Sequence, residues 1–191
     1  IWKKDGRASA IALAAQNLLE VISVWPKIQR HAQPIHKMTV TDSKETDPIR
    51  PIFLEFEGAV KDGVPFAHMV PNSELIGSLR SIAKDHKIKI IQNCRASSLE
   101  SSMDKITLKT DDGNIFEANL IVAGDGARSS IRHLSQIKTL SWAYDQSGIV
   151  TTVKHERDHQ GEAVEHFLPA GAFAILPLLN NHSSLVWTER T

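Results

Sequence analysis

The sequence predicts an α+β fold whose second half is mostly β. Three observations predict it. Apolar residues recur at three- and four-residue steps in two segments, Ser9 to Val24 and the stretch after Asn72, as amphipathic helices require. In most other segments they fall at alternate positions, the period of a half-buried strand. Helices and strands also fail to take turns in regular βαβ units, which argues against one doubly wound parallel sheet for the whole chain.

Composition sets the outer bounds. At ~150 residues per domain, 191 residues make between one and two domains. Hydrophobic residues at 41% and charged residues at 23% are the balance of a chain that buries a core, which excludes a disordered polymer. Lys and Arg number 22 and so do Asp and Glu, so the formal charge is zero. Nucleic acid is thereby excluded as a partner, because neutralising phosphates takes a basic excess. The single cysteine, Cys94, excludes an internal disulfide and a cysteine-rich zinc site, and with no basic or catalytic neighbour in sequence it reads as an inert thiol. No apolar run approaches the ~18 residues that span a bilayer. The opening Ile1-Trp2-Lys3-Lys4 has neither an initiator Met nor a signal-peptide core, so a cytoplasmic, reducing setting is the default.

The elements follow in order. Ile11, Ala14, Ala15, Leu18, Leu19 and Ile22 form one stripe of a helix, and Trp25-Pro26 ends it. Met38, Val40, Ile52, Leu54 and Phe56 alternate as strands around the polar loop from Asp42 to Pro48. Lys61-Asp62-Gly63 is a turn before a strand at Phe66 to Val70. Asn72 reads as an N-cap with Glu74 in the first turn, and Leu75, Ile76, Leu79, Ile82 and Ala83 as the buried face of that helix. Lys87 to Ile91, Ala96 to Leu99, Lys105 to Thr110 and Ile115 to Ala123 read as strands, with Asp111-Asp112-Gly113-Asn114 as a hairpin turn. A short helix is expected from Arg128 to Leu134. Ser147 to Glu189 alternates like antiparallel strands, with turns near Arg157 to Gly161, Ala170-Gly171 and Asn180-Asn181. Trp142 and Trp187 read as core aromatics.

The segment Leu120-Ile121-Val122-Ala123-Gly124-Asp125-Gly126-Ala127-Arg128-Ser129-Ser130-Ile131-Arg132 carries most information. An apolar strand enters Gly-Asp-Gly and then a helix start. Glycines let the backbone turn sharply and approach a ligand, and the helix amides with Arg128 and Arg132 suit a phosphate. The same residues also make an ordinary strand-turn-helix corner with Asp125 as its cap, and local physics leaves both readings open.

Asp125-Gly126-Ala127-Arg128-Ser129 with Arg132 resembles the Asp-Gly motif of the flavin-dependent aromatic hydroxylases. Four further segments are similar to one branch, the ubiquinone-biosynthesis hydroxylases that act on polyprenyl phenols. They are Arg7-Ala8-Ser9-Ala10-Ile11 at the start of the first helix, Val70-Pro71-Asn72-Ser73-Glu74-Leu75, His166 to Leu178, and Ser184-Leu185-Val186-Trp187-Thr188. They occur in the family's order and cover essentially the whole chain. The resemblance implies a p-hydroxybenzoate-hydroxylase-like fold. In it, 1–35 and 71–135 would be part of a Rossmann-like FAD domain, and 36–70 and 136–191 a mixed or antiparallel substrate-binding sheet. It implies FAD as cofactor, NAD(P)H as co-substrate, and Arg7, Asn72, Asp125, Gly126 and Arg128 as cofactor contacts. No catalytic residue and no metal is carried over.

The implied activity is hydroxylation of a polyprenyl phenol with NAD(P)H and O2. Because the cofactor does the difficult chemistry, the protein places and protects it, and a dry pocket is expected. Phe167, Leu168, Phe173, Ile175 and Leu176 would supply its wall, although alternate positions on a strand face opposite sides. Two family motifs are absent: the glycines show no Gly-x-Gly-x-x-Gly spacing, and no later Gly-Asp-Ala-x-His occurs. The chain therefore reads as an internal fragment that holds FAD poorly by itself. A peripheral contact with the inner membrane, a biosynthetic complex and a homo-oligomer are further expectations. Two alternatives stay open: a flavin hydroxylase of a small soluble aromatic, and a non-catalytic module that binds a hydrophobic ligand. His155-Glu156-Arg157-Asp158-His159 matches a zinc-protease pattern, but that chemistry needs a helix, and here a β-branched run precedes and Gly161 follows. A charged turn is the reading kept, and Asn181-His182-Ser183 reads as turn residues too.

Overall fold

The computed structural model describes residues 6–44, 46–57, 59–61 and 63–191. The chain start at 1–5, Glu45 of the polar loop, Gly58 and Asp62 of the Lys61–Gly63 turn lie outside the described residues. Two compact units form, one from Ile1–Ile88 with Ala143–Thr191 and the other from Lys89–Trp142. This partition differs from the functional one inferred by resemblance, since 1–35 and 36–70 share a unit.

The first unit begins with β1 (Ala8–Ala12), α1 (Leu13–Val21), α2 (Trp25–Ile28), β2 (Gln33–Ile35), β3 (Lys37–Asp42) and β4 (Ile52–Glu57). It continues with β5 (Ala59–Lys61), β6 (Val64–Pro65), β7 (Ala67–Pro71) and α3 (Asn72–Asp85). The second unit holds β8 (Ala96–Ser101), β9 (Ile106–Thr110), β10 (Ile115–Ala118) and α4 (Ser130–Leu134). The chain returns to the first unit with β11 (Gln146–Lys154), β12 (Glu162–Leu168), β13 (Gly171–Leu178) and β14 (His182–Arg190).

Three layers build the first unit. A small sheet of order β1-β7-β2 lies between helices and a six-stranded sheet of order β11-β14-β13-β12-β3-β4. Strand alternation decides which side chains face which layer. Ile11 and Val70 turn to the helices and join Leu19, Val24, Trp25, Ile28 and Ala32 in one core. Ala67, Met69 and Ile35 turn the other way and meet Ala163 and Leu178 of the large sheet in a second. All ladders in the large sheet are antiparallel except β3 with β12, which run parallel. The second unit is an antiparallel sheet of order β10-β9-β8 beside the short α4. Its β9–β10 turn follows expectation, with Thr110 Oγ1 donating to Asp112 at 2.5 Å and the Asn114 amide donating to the same carboxylate.

Four local expectations are corrected. Residues 8–12 form a strand, because each pairs with a residue of β7. Trp25-Pro26 opens α2 instead of ending a helix, since proline at a first-turn position loses no helical hydrogen bond. Lys87–Ile91 and Leu120–Ala123 are apolar but lie in no sheet, and the latter leaves Leu120 73% and Val122 83% exposed. A strand needs a ladder partner, and among the described residues neither run has one. Trp142 is largely exposed, and Trp187 is half-exposed with its ring edge against Phe173 at 5.7 Å between centroids.

Candidate functional site

The start of β1 and the start of α3 build a cleft. The amide of Asn72 donates to the carbonyl of Arg7 at 2.9 Å, and Ser9 Oγ donates to Asn72 Oδ1 at 2.7 Å. Arg7 and Asn72, far apart in sequence, are thus held side by side. Asn72 is the first helical residue and not the cap: Pro71 occupies the cap position, and the Asn72 side chain is taken by Ser9. From across the cleft, Thr152 Oγ1 of β11 donates to the Gly6 carbonyl at 3.0 Å. The cleft holds about 500 Å³ and is lined by Arg7, Ser73, Glu74, Thr152, Leu178 and His182 among others. Its donor set is an arginine fork, a hydroxyl and the amino end of a 14-residue helix, which suits anionic or hydroxyl oxygens.

Asp125, Gly126 and Arg128 form a separate corner in the second unit. The Asp125 carboxylate accepts from Ser129 Oγ at 2.5 Å, from Ser130 Oγ at 3.3 Å and from the Ile131 amide at 3.2 Å. Ser129 caps α4 by accepting from the Arg132 amide, and the Arg132 guanidinium clips the Ala127 carbonyl at 2.6 Å. Locally, then, the acid is a structural staple of the turn. Gly126 sits at φ +81°, and a Cβ at either Gly124 or Gly126 would meet no atom within 4 Å. The glycine backbone is therefore open to a ligand while the acid is occupied behind it. The Ser129 hydroxyl foremost, then the Ile131 amide, lowers the Asp125 carboxyl to about 2. A carboxyl depressed in the folded state stabilises above its unfolded value near 3.9 and stops doing so as pH falls through its folded value. We expect amide protection of Ile131 and Arg132 to hold at pH 5 and to decay toward pH 2. An NMR titration of Asp125 with a midpoint near 3.9 would contradict this.

The sheet register sorts the expected pocket wall. His166 pairs with Phe173 and Phe173 with Trp187, so these share one face with Leu168, Ile175 and Leu185. Phe167 and Leu176 face the opposite way, with Leu178, Thr152 and His182, toward the Arg7 cleft. On the Phe173 face lies a second cleft of about 670 Å³, floored by Phe173, Ile175, Leu185 and Val153 and walled by His155 and His159. Nearby, His166 Nδ1 and Thr41 Oγ1 are 2.5 Å apart, and the imidazole stacks on Phe173. Burial, then the charge of Arg50, pushes its pKa down, so the ring is neutral at pH 7. The structure therefore brings Phe173 and Ile175 to one cleft, keeps Leu168 on the same face, and places Phe167 on the other.

The His155–His159 segment is a loop between β11 and β12, as the sequence reading holds. His155 Nδ1 contacts the Arg157 carbonyl at 2.6 Å and its Nε2 contacts Ser183 Oγ at 3.0 Å. His159 Nε2 contacts the Leu178 carbonyl at 2.7 Å, and its Nδ1 accepts from the Gly161 amide. Both rings are hydrogen-bonded through both nitrogens and pin the loop to the β13–β14 hairpin. Among the described residues no group of three His, Cys, Asp or Glu side chains is placed to hold a metal ion. Thr152, Ser73 and His182 escaped sequence reasoning, because Thr152 is one polar residue inside a strand and the other two carry only cap and turn chemistry.

The fold is a layered α+β body with two clefts, one of them bordered by an arginine beside a helix start. The chain belongs to the FAD binding domain family, whose pattern it matches over residues 3–189. It is 42% identical over 188 residues to the ubiquinone hydroxylase UbiL of Rhodospirillum rubrum, covering 98% of this chain and 42% of that protein. It is 30% identical over 187 residues to the 3-demethoxyubiquinol 3-hydroxylase of Escherichia coli, covering 97% and 46%. The chain thus spans less than half the length of these relatives. The fold is p-hydroxybenzoate-hydroxylase-like. Pseudomonas aeruginosa PqsL, as a four-substitution mutant, superposes with a TM-score of 0.78 at 16% identity over 97% of this chain and 50% of that one. Klebsiella pneumoniae HpxO R204Q complexed with FAD gives 0.77 at 14% identity, over 98% and 49%. FAD is the cofactor for which the family is named.

Proposed function

We propose that the protein containing this chain is a flavin monooxygenase of ubiquinone biosynthesis that hydroxylates a polyprenyl phenol with NAD(P)H and O2. The observation that carries this is the 42% identity to a ubiquinone hydroxylase along 98% of the chain. Residues 1–35 and 71–135 would belong to its FAD domain, and 36–70 and 136–191 to its substrate sheet.

Bound FAD would supply the reduction by NAD(P)H and the activation of O2. The chain's residues bind, orient and exclude water. Arg7 offers a planar pair of donors to a phosphate or ribityl oxygen, with Asn72 beside it. The glycine backbone at 124–126 and the Arg128 guanidinium supply a second approach for the cofactor in the other unit. Phe173 and Ile175, with Leu185 and Val153, form an apolar wall of the kind that keeps water from an oxygen-transfer reaction. No helix among the described residues is long and apolar enough to cross a membrane. A polyprenyl substrate nevertheless resides in lipid, so the reading includes peripheral attachment to the inner membrane from the cytoplasmic side, within a biosynthetic complex or as a homo-oligomer.

The test uses the full-length protein. It should purify yellow or take up FAD, and oxidise NAD(P)H faster when a polyprenyl phenol is added. Arg7→Ala should lose flavin on dialysis that the parent retains. Stimulation by simple hydroxybenzoates but not by polyprenyl phenols would move the assignment to a small-substrate hydroxylase. A protein that is colourless and cannot be reconstituted with FAD would overturn it.

A further inference from the structure

The loop from His155 to His159 walls the Phe173 cleft, so whatever fixes the loop fixes the rim of that cleft. It closes on a tight corner. Gln160 and Gly161 sit at φ +53° and +70°, and a left-handed residue other than glycine persists only where its surroundings hold it. Three hydrogen bonds hold this corner. The Gln160 amide donates to Asp158 Oδ1 at 2.8 Å, the Gly161 amide to His159 Nδ1 at 3.0 Å, and the Glu162 amide to the His159 carbonyl at 2.9 Å. From outside, the His36 amide donates to the Gly161 carbonyl at 3.0 Å.

Carbonyls only accept and amides only donate, which settles where the hydrogens sit on the two neutral rings. His155 Nδ1 faces the Arg157 carbonyl and carries the hydrogen, so its Nε2 accepts from Ser183 Oγ. His159 is the reverse. Its Nε2 faces the Leu178 carbonyl and carries the hydrogen, and Nδ1 is the lone pair at which the Gly161 amide points. A second proton therefore acts differently on each ring. At His155 the Ser183 hydroxyl turns round and accepts the new N–H. At His159 the facing donor is a backbone amide, which cannot turn, and two hydrogens would meet where one bond had been.

We propose that His159 is a proton-released latch: the corner at 160–161 stays closed while the imidazole is neutral, and its protonation frees the loop that walls the Phe173 cleft. This goes beyond the hydroxylase reading and holds whatever the cleft receives. Asp158 Oδ1, 3.9 Å from Nδ1, is the acceptor for the new N–H once the ring swings off the amide. That oxygen also holds the Gln160 amide, so capturing the imidazolium disturbs a second bond of the same corner. The ionisable groups around the latch are Glu156, Arg157 and Asp158 on the loop and the His155 ring at 5.7 Å. His36 stands against Gly161 from the β2–β3 connection, and Glu162 follows at the start of β12 with Lys37 3.8 Å away. The β13–β14 hairpin meets the two rings through the Leu178 carbonyl and the Ser183 hydroxyl, neither of which titrates in this range. The closed corner binds one proton fewer than the open one, so acid favours opening, by up to about tenfold in population per pH unit.

The experiment is amide hydrogen exchange on the full-length protein from about pH 8 to about pH 5, the span in which histidine changes charge. Rates are corrected for intrinsic exchange at each pH, and nitrogen NMR shifts of the histidine rings are recorded alongside. The Gly161 protection factor should fall by up to about tenfold per pH unit, with the midpoint of the His159 titration, and the amides of 156–160 should follow it. Val164, inside the β12 ladders, should not change. His159→Gln takes up no proton, so its exchange should show no such dependence, whether its corner is closed or open. His155→Gln should keep the wild-type fall. Protection that stays flat in wild type, a fall that persists in His159→Gln, or a midpoint away from the His159 titration would each overturn the latch. The wild-type measurement needs no variant, so it decides the matter even if a substituted protein does not fold.

Discussion

Ile28→Ala is expected to lower the unfolding free energy of the first unit by about 2–5 kcal/mol, the range for deleting a buried isoleucine side chain down to its Cβ. Ile28 is fully buried and packs in one core with Ile11, Leu19, Val24, Trp25, Ala32 and Val70. The loss has two parts, the transfer energy of the deleted methyl and methylene groups and the cavity left behind. That cavity does not close easily, because Ile28 lies on a short helix fixed by Pro26 at one end and a 3-10 turn at the other. Val21→Ala, one helix earlier but 82% exposed, should shift stability by no more than about 0.5 kcal/mol. Urea titration followed by tryptophan fluorescence reads both, since Trp25 belongs to the same core. A cost for Ile28→Ala as small as that of Val21→Ala would show that the helix layer is not the packed core described. The functional stake is direct, since the 3-10 turn after Ile28 carries His31 to the rim of the Arg7 cleft.

Periodicity located β7, α3, the β9–β10 hairpin and β11 to β14, because in each the apolar spacing and the turn chemistry agree. It misread 8–12, where Ala-Ser-Ala-Ile-Ala satisfies both a helical and a strand period. Only the five-residue ladder with β7 settles it, and that contact spans most of the first unit's first half. The apolar runs 87–91 and 120–123 show the opposite failure. Their composition is that of strands, but a strand is a property of a pair, and among the described residues no partner stands beside either. The candidate site divides in the same way. Arg7 and Asn72 are singled out by resemblance alone, and folding joins them through a backbone hydrogen bond. Which of Phe167, Leu168, Phe173 and Ile175 share a face was invisible until register fixed it, because a one-residue slip exchanges the faces.

Gly171→Ala is expected to cost about 2–6 kcal/mol, for two separable reasons. Gly171 has φ +147°, outside the range a side chain readily adopts, and such strain costs about 1–3 kcal/mol. The added Cβ would also lie 2.5 Å from Thr188 Cγ2 and 2.7 Å from Thr188 Cβ. Rotating the threonine relieves the first contact but not the second, so β13 and β14 must part, and overpacking of that kind costs a further 1–3 kcal/mol or so. Gly171→Ala combined with Thr188→Gly removes the overlap and leaves the backbone strain, so the double variant should recover roughly half the loss relative to Thr188→Gly alone. Gly148→Ala on neighbouring β11 meets no atom within 4 Å and should be nearly silent. Thermal melts rank the four variants against wild type. Near-UV circular dichroism reports the Phe173–Trp187 edge contact, which should weaken in Gly171→Ala and return in the double variant. If the double variant recovers nothing, the overlap with Thr188 is not the cause. If Gly171→Ala melts like wild type, the hairpin does not hold β13 against β14 as described, and the Phe173 and Ile175 wall loses the support that gives it one fixed face.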